Sequence, residues 1–237
     1  MVIVPWKKLF IQGVSLAFII LFSLNCHPAQ AANPDPLRLQ KMVNRFSWQD
    51  AKNTYPKNSI LFVGSSSVYR WKTAYAFPEY PVINRGIPGA EIADLNYYYG
   101  DLVEKYRAAT VIFYCGDNDI ASGKSPEQIL ADFKTFTTHL MVQTNQPTLI
   151  FLAIKPSPQR WKLWSEMVET NLKIQRYCRD SHQCTFVDTA TVLLNDKGQP
   201  DKRFFAEDGL HLNGEGYQLW NKLLYSVTGG DVLALVL

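Results

Sequence analysis

The feature that most limits the folds open to this chain is a set of five apolar runs separated by stretches of helical period. The runs are "SILFVG" (59–64), "YPVINRG" (80–86), "TVIFYCG" (110–116), "PTLIFLAI" (147–154) and "CTFVDT" (184–189). Several are continuously apolar rather than alternating, as expected for strands covered on both faces in a parallel sheet. Between them the period changes to about 3.6 residues. The clearest helix opens at "SPEQ", where Ser125 can cap, Pro126 suits the first helical position and Gln128 completes a capping box. Ile129, Phe133, Phe136 and Leu140 then share one face. "LRLQKMVNRFSWQDAKN" (37–53) predicts a covering helix, and others are expected around 90–106, 161–179 and 213–226. This alternation predicts an α/β fold: a single three-layer α/β/α domain with a mainly parallel five-stranded sheet and right-handed crossovers. At 237 residues the chain has room for one sizeable domain and is short for two.

The first 31 residues read differently. Lys7 and Lys8 precede an uncharged, mostly apolar run from Gly13 to Leu24, followed by Ala29-Gln30-Ala31. That is the layout of a secretory signal peptide cleaved after Ala31, and the run is shorter than the roughly 18–20 residues that span a bilayer. The expected organisation is therefore signal peptide 1–31, linker 32–37, folded domain 38–228 and C-terminal tail 229–237. A secreted or periplasmic protein without a stable membrane span follows. An uncleaved or lipid anchor through Cys26 is the alternative, though Asn25 fits such processing poorly. Without Lys7 and Lys8 the chain keeps 22 basic against 21 acidic residues, which argues against a nucleic-acid partner. Export also permits a disulfide between Cys178 and Cys184, which flank a polar "RDSHQ" loop, whereas Cys115 in an apolar strand reads as a buried thiol. No C-x-x-C or H-x-x-x-H pair suggests zinc, and no metal or cofactor is expected.

In an open parallel sheet, ligands bind beyond the carboxyl ends of the strands. Four groups of chemically capable residues fall there or just before the last helix. "GSSS" (64–67) follows the first run, and a serine at a tight strand-to-helix turn holds its hydroxyl at the sheet edge; a helix cap is the plainer reading. "NRGIPGAE" (84–91) follows the second, and Gly89 lets backbone approach a ligand closely, as a simple turn would also explain. "CGDNDI" (115–120) follows the third, with the Asn118 amide suited to an oxyanion. Asp117 and Asp119 have no partner at calcium-loop spacing. In "EDGLHLNGEGY" (207–217), Asp208 and His211 stand three apart, so a turn can join carboxylate to imidazole. His139 falls inside the helix opened by Pro126, and His182 falls in the cysteine loop.

In that chain order, G-x-S, a helix-opening Gly, "GDND" and "DGLH" resemble the SGNH hydrolases, also called the GDSL lipase/esterase family. The resemblance covers residues 58–226. It implies a flavodoxin-like arrangement and a carboxylic ester hydrolase: a lipase, esterase or acylhydrolase. It implies Ser66 as nucleophile, with Ser65 in place of the family's usual Asp. Asp208 and His211 become acid and base. The oxyanion donors become the backbone N–H groups of Ser66 and Gly89 and the side-chain amide of Asn118. The expected substrate is a small-molecule, lipid or glycan ester. An acyltransferase on the same triad and an inactive scaffold serving as a binding protein are the competing readings. In "IKPSPQRWKLW" (154–164), Lys155 and Arg160 are candidate substrate-binding cations, and Trp161 and Trp164 either wall the pocket or pack on the sheet.

Overall fold

The computed structural model describes residues 31–227. The expected signal peptide up to Gln30, Cys26 within it and the tail at 229–237 lie outside the described residues. Five strands form one all-parallel sheet: β1 Ile60–Gly64, β2 Val82–Gly86, β3 Thr110–Tyr114, β4 Thr148–Leu152 and β5 Thr185–Val187. Their spatial order is β2-β1-β3-β4-β5, so the chain winds outward from β1 in both directions. Every residue of β1 and β3 is buried, which accounts for their unbroken apolar runs.

Alternate side chains of the central strands feed two separate cores. Leu61, Val63, Val111, Phe113, Leu149 and Phe151 face one layer, built from helices α1 (Gln40–Asp50), α4 (Ile92–Tyr97), α5 (Tyr99–Leu102), α7 (Pro126–Met141) and α8 (Trp164–Ser181). Ile60, Phe62, Ile112, Tyr114, Ile150 and Leu152 face the other. That second layer holds α2 (Ser66–Arg70), α3 (Thr73–Ala76) and α9 (Gly214–Val227), with Trp220 at its centre. A further short helix, α6 (Asp117–Ala121), follows β3. No helix among the described residues is long and apolar enough to cross a membrane.

The expected capping box is present: the Gln128 N–H donates to Ser125 Oγ at 3.3 Å, and the Ser125 N–H donates to Gln128 Oε1 at 2.9 Å. Ile129, Phe133, Phe136 and Leu140 are fully buried. Three details differ from the sequence reading. The helix expected over 90–106 is broken into α4, α5 and a 3-10 turn at Glu104–Tyr106. Tyr98 leaves helical geometry at the break, and its hydroxyl donates to the Pro36 carbonyl at 3.1 Å, tying this segment to the start of α1. Pro36 is not linker: it opens a 3-10 turn capped by Asp35, a position where its missing N–H costs nothing. The helix expected over 161–179 runs on to Ser181, so 179–181 of the expected loop are helical, and Cys178 within it is disulfide-bonded to Cys184. Cys115 is a buried free thiol, as expected.

Candidate active site

The registers of the central strands bring the first three sequence blocks to one edge. Gly64 of β1 lies level with Gly86 of β2 and Tyr114 of β3, so the turns carrying Ser66, Gly89 and Asn118 leave the sheet side by side. Glycine is required for that approach. A Cβ on Gly64 would fall 1.9 Å from the Tyr114 carbonyl oxygen, and one on Gly86 would fall 2.1 Å from the Tyr69 nitrogen of α2.

Of the three consecutive serines, Ser65 and Ser67 are buried, the Ser65 hydroxyl without a hydrogen-bond partner among the described residues and the Ser67 hydroxyl beside that of Tyr114. Ser66 opens α2 and is half-buried. Its Oγ lies 2.9 Å from Nε2 of His211, and His211 Nδ1 lies 2.7 Å from Oδ2 of Asp208. The Asp208–His211 turn is closed by its own carboxylate, whose Oδ1 accepts the N–H groups of Leu210 and His211, each at 2.9 Å. Gly209 supplies the positive φ of 61° that this turn needs. Burial pushes the Asp208 carboxyl upward, but the His211 backbone and ring and the Leu210 N–H together hold it well below the usual carboxylate range. An ionised carboxylate on Nδ1 fixes the proton there and leaves Nε2 to accept from Ser66.

Gly89 is exposed, with φ of 76°, and its N–H donates to no acceptor among the described residues. Its carbonyl accepts from Arg38, which also grips Asp94 at 2.6 Å through each terminal nitrogen. The Asn118 amide donates one hydrogen to the Ala90 carbonyl at 3.0 Å, which leaves its second hydrogen for a ligand. Asn118 Oδ1 accepts from Arg160 at 3.0 Å, so the amide is oriented with its nitrogen away from the guanidinium.

That contact corrects the reading of the two candidate substrate cations. Arg160 also donates to the Asp117 carbonyl at 2.8 Å and pairs with its carboxylate at 3.2 Å, so its guanidinium is committed to protein groups. Lys155 is 1% exposed. Its ammonium donates to the Leu210 carbonyl at 2.8 Å and lies 3.8 Å from Asp117. Burial lowers its pKa against the pull of Asp117. An uncompensated buried carboxylate is far costlier than an exposed one, which draws both cations inward. Asp119 is held by protein groups. It accepts from the Ile92 N–H at 3.1 Å and from Lys124 at 3.3 Å, and no metal-holding cluster occurs among the described residues. Trp161 and Trp164 stack on each other with ring centres 5.8 Å apart. The positioning roles of Arg38, Asp117 and Lys124 carried no local sequence signal, because each depends on a partner distant in the chain.

Residues 62–219 match the family model for GDSL-like lipases and acylhydrolases. The chain belongs to that family. It is thus an ester-hydrolysing enzyme of the SGNH type. No protein of curated function matches its sequence. Among solved structures, a GDSL-like lipase from Bacteroides thetaiotaomicron superposes with a TM-score of 0.69 at 18% identity, over 79% of this chain and 97% of that one. An acetylxylan esterase from Geobacillus stearothermophilus superposes at 0.61 and 16% identity, over 74% and 96%. At these identities the likeness is one of fold.

Proposed function

We propose that this family member is an exported serine esterase that cleaves small acyl groups, acetyl foremost, from a glycan or lipid alcohol. The observation carrying the mechanism is the unbroken relay from Asp208 Oδ2 through His211 to Ser66 Oγ, with links of 2.7 and 2.9 Å. His211 Nε2 takes the Ser66 proton as Oγ bonds to the acyl carbon, and the carbonyl electron pair moves onto oxygen. The Ser66 and Gly89 N–H groups and the free Asn118 N–H are the donors assigned to that oxyanion. Collapse expels the alcohol, which leaves with the proton from His211. Water then enters by the same route, and the acid departs with Ser66 restored.

The acetylxylan esterase among the structural relatives favours a short acyl group on a sugar. Export, with cleavage after Ala31, fits the Cys178–Cys184 disulfide, since such bonds persist in oxidising compartments. Hydrolysis of p-nitrophenyl acetate tests the reading. Ser66→Ala and His211→Ala are each expected to lose at least about a thousandfold in kcat. Turnover by Ser66→Ala equal to that of the unaltered enzyme rejects the mechanism.

A further inference from the structure

The sheet ends at β2, and helices from the two layers leave a gap over this edge. A groove of about 580 Å³ runs between α1 and the loop carrying Pro88, lined by Lys41, Arg45 and Trp48. It shares Met42 and Arg45 with a second groove of about 310 Å³ that crosses β2 at Asn84 and Gly86 to reach Tyr69, Lys72 and Tyr75. That one shares Trp71, Lys72 and Tyr75 with a third, of about 500 Å³, ending at Leu212 and Asn213. Through these shared residues the three grooves adjoin one another around the sheet edge as a segmented channel. Each end borders a neighbour of the site: Arg38 of the first groove donates to the Gly89 carbonyl at 3.3 Å, and Leu212 of the third follows His211. Arg70, on the last stretch, lies 3.9 Å from Asp208.

The charge of this channel is one-sided. Arg38, Lys41, Arg45, Arg70 and Lys72 line it, and no carboxylate among the described residues does. Yet the whole chain is nearly balanced, with 24 basic against 21 acidic residues. Lys41, Arg45 and Lys72 are exposed and make no ion pair among the described residues. Trp48, Tyr69 and Tyr75 stand 74%, 43% and 86% exposed beside them, although large aromatic rings are ordinarily covered.

We propose that this channel holds an acidic polysaccharide, a chain with uronate carboxylates and acylated hydroxyls, whose esters are presented to Ser66. The proposal rests on the esterase reading. A concave path curving around a sheet edge suits a linear chain and not a planar bilayer. Unpaired cations complement regularly spaced carboxylates. Flat aromatic faces suit the apolar faces of sugar rings, in the way that rings with one wet side serve at interfaces. Sugar hydroxyls provide the carboxylic ester that this chemistry needs, which a nucleic-acid backbone does not.

Binding is measured on the full chain carrying Ser66→Ala, by calorimetry with unesterified polygalacturonate fragments. Neutral xylan, phosphatidylcholine–phosphatidylglycerol vesicles and single-stranded DNA serve as the other probes. The expected result is salt-sensitive polygalacturonate binding that exceeds xylan binding. Adding Lys41→Glu, Arg45→Glu and Lys72→Glu is expected to weaken it about tenfold or more at low salt, as is Trp48→Ala. The corresponding glutamine triple covers any folding defect in the glutamate variant. Absent polygalacturonate binding, equal xylan binding, tighter binding of vesicles or DNA, or unchanged affinity in both triple variants each overturns the proposal. In parallel, the unaltered enzyme is assayed for cleavage of p-nitrophenyl acetate. If the unaltered enzyme leaves that ester intact, the esterase reading fails, while the binding result still judges the channel by itself.

Discussion

Asn118 rests on buried charge, whereas His211 stands on a turn open to solvent. Behind Asn118, the Asp117 carboxylate is 4% exposed and is flanked by Arg160 and by Lys155, itself 1% exposed. One residue further on, Asp119 is buried with Lys124, which also reaches Glu91 at 3.1 Å and Asp132 at 2.9 Å. Beside His211, the Asp208 side chain is 42% exposed and is held by the N–H groups of its own turn. The difference follows from what each group must do. A primary amide has two faces that differ only in which atom donates, so fixing it takes a cation on its oxygen and an acceptor on its nitrogen. An imidazole needs only an ionised carboxylate on one nitrogen, and water does not remove that. Lys155 joins the two halves, because its ammonium binds the Leu210 carbonyl on one side and faces Asp117 on the other.

If the halves differ in this way, substitutions on the turn cost turnover with little loss of fold, and substitutions in the buried cluster cost stability. Asp208→Asn is expected to show the largest effect, a fall in kcat on the order of 10⁴, through loss of the correct imidazole tautomer. Its melting temperature should stay close to normal, and a large drop breaks the contrast. Lys155→Met leaves Asp117 short of a partner and the Leu210 carbonyl without its donor. Urea unfolding is expected to show a loss of about 3 kcal/mol.

Asp119 provides a pH test of the buried side. Burial, with Glu91 nearby and against the pull of Lys124, pushes its carboxyl up to about 7. The unfolded value is about 3.9, so the folded protein holds this proton more tightly. Stability from this group is therefore full below about pH 4 and is lost as the pH rises through about 7. Asp119→Asn removes that titration. Its stability relative to the unaltered enzyme is expected to improve by an amount on the order of 2 kcal/mol between about pH 5 and about pH 8. A constant difference across that range contradicts the assignment. Arg160→Ala is expected to have the smallest effect. It spares the Asn118 donor but frees the amide to turn, lowering kcat about tenfold with KM nearly unchanged, against a hundredfold or more for Asn118→Ala. A rise in KM alone restores Arg160 as a substrate contact.

Much of this arrangement was legible in the chain. Unbroken apolar runs marked the parallel strands because burial on both faces removes the alternation. Ser66, Asn118, Asp208 and His211 were legible because each stands just after a strand or before the last helix, in family order. The roles of Lys155 and Arg160 were not legible. Two cations after a strand look the same in sequence whether they turn toward a substrate or toward a buried carboxylate, and Asp117 decides between these only once β3 and β4 are paired. The break in the helix expected over 90–106 is hidden in the sequence for a similar reason: Tyr98 at the break bonds Pro36, more than fifty residues upstream. The channel at the sheet edge joins α1, the loops after α2 and β2 and the turn before α9, four segments with no shared motif.

The central claim is that one hydroxyl of three consecutive serines is activated by His211. Treatment with a serine-directed fluorophosphonate, followed by peptide mass spectrometry, tests it most directly. The expected result is a single adduct on Ser66 that is absent from His211→Ala. An adduct on Ser65 or Ser67, or none on the native enzyme, contradicts it.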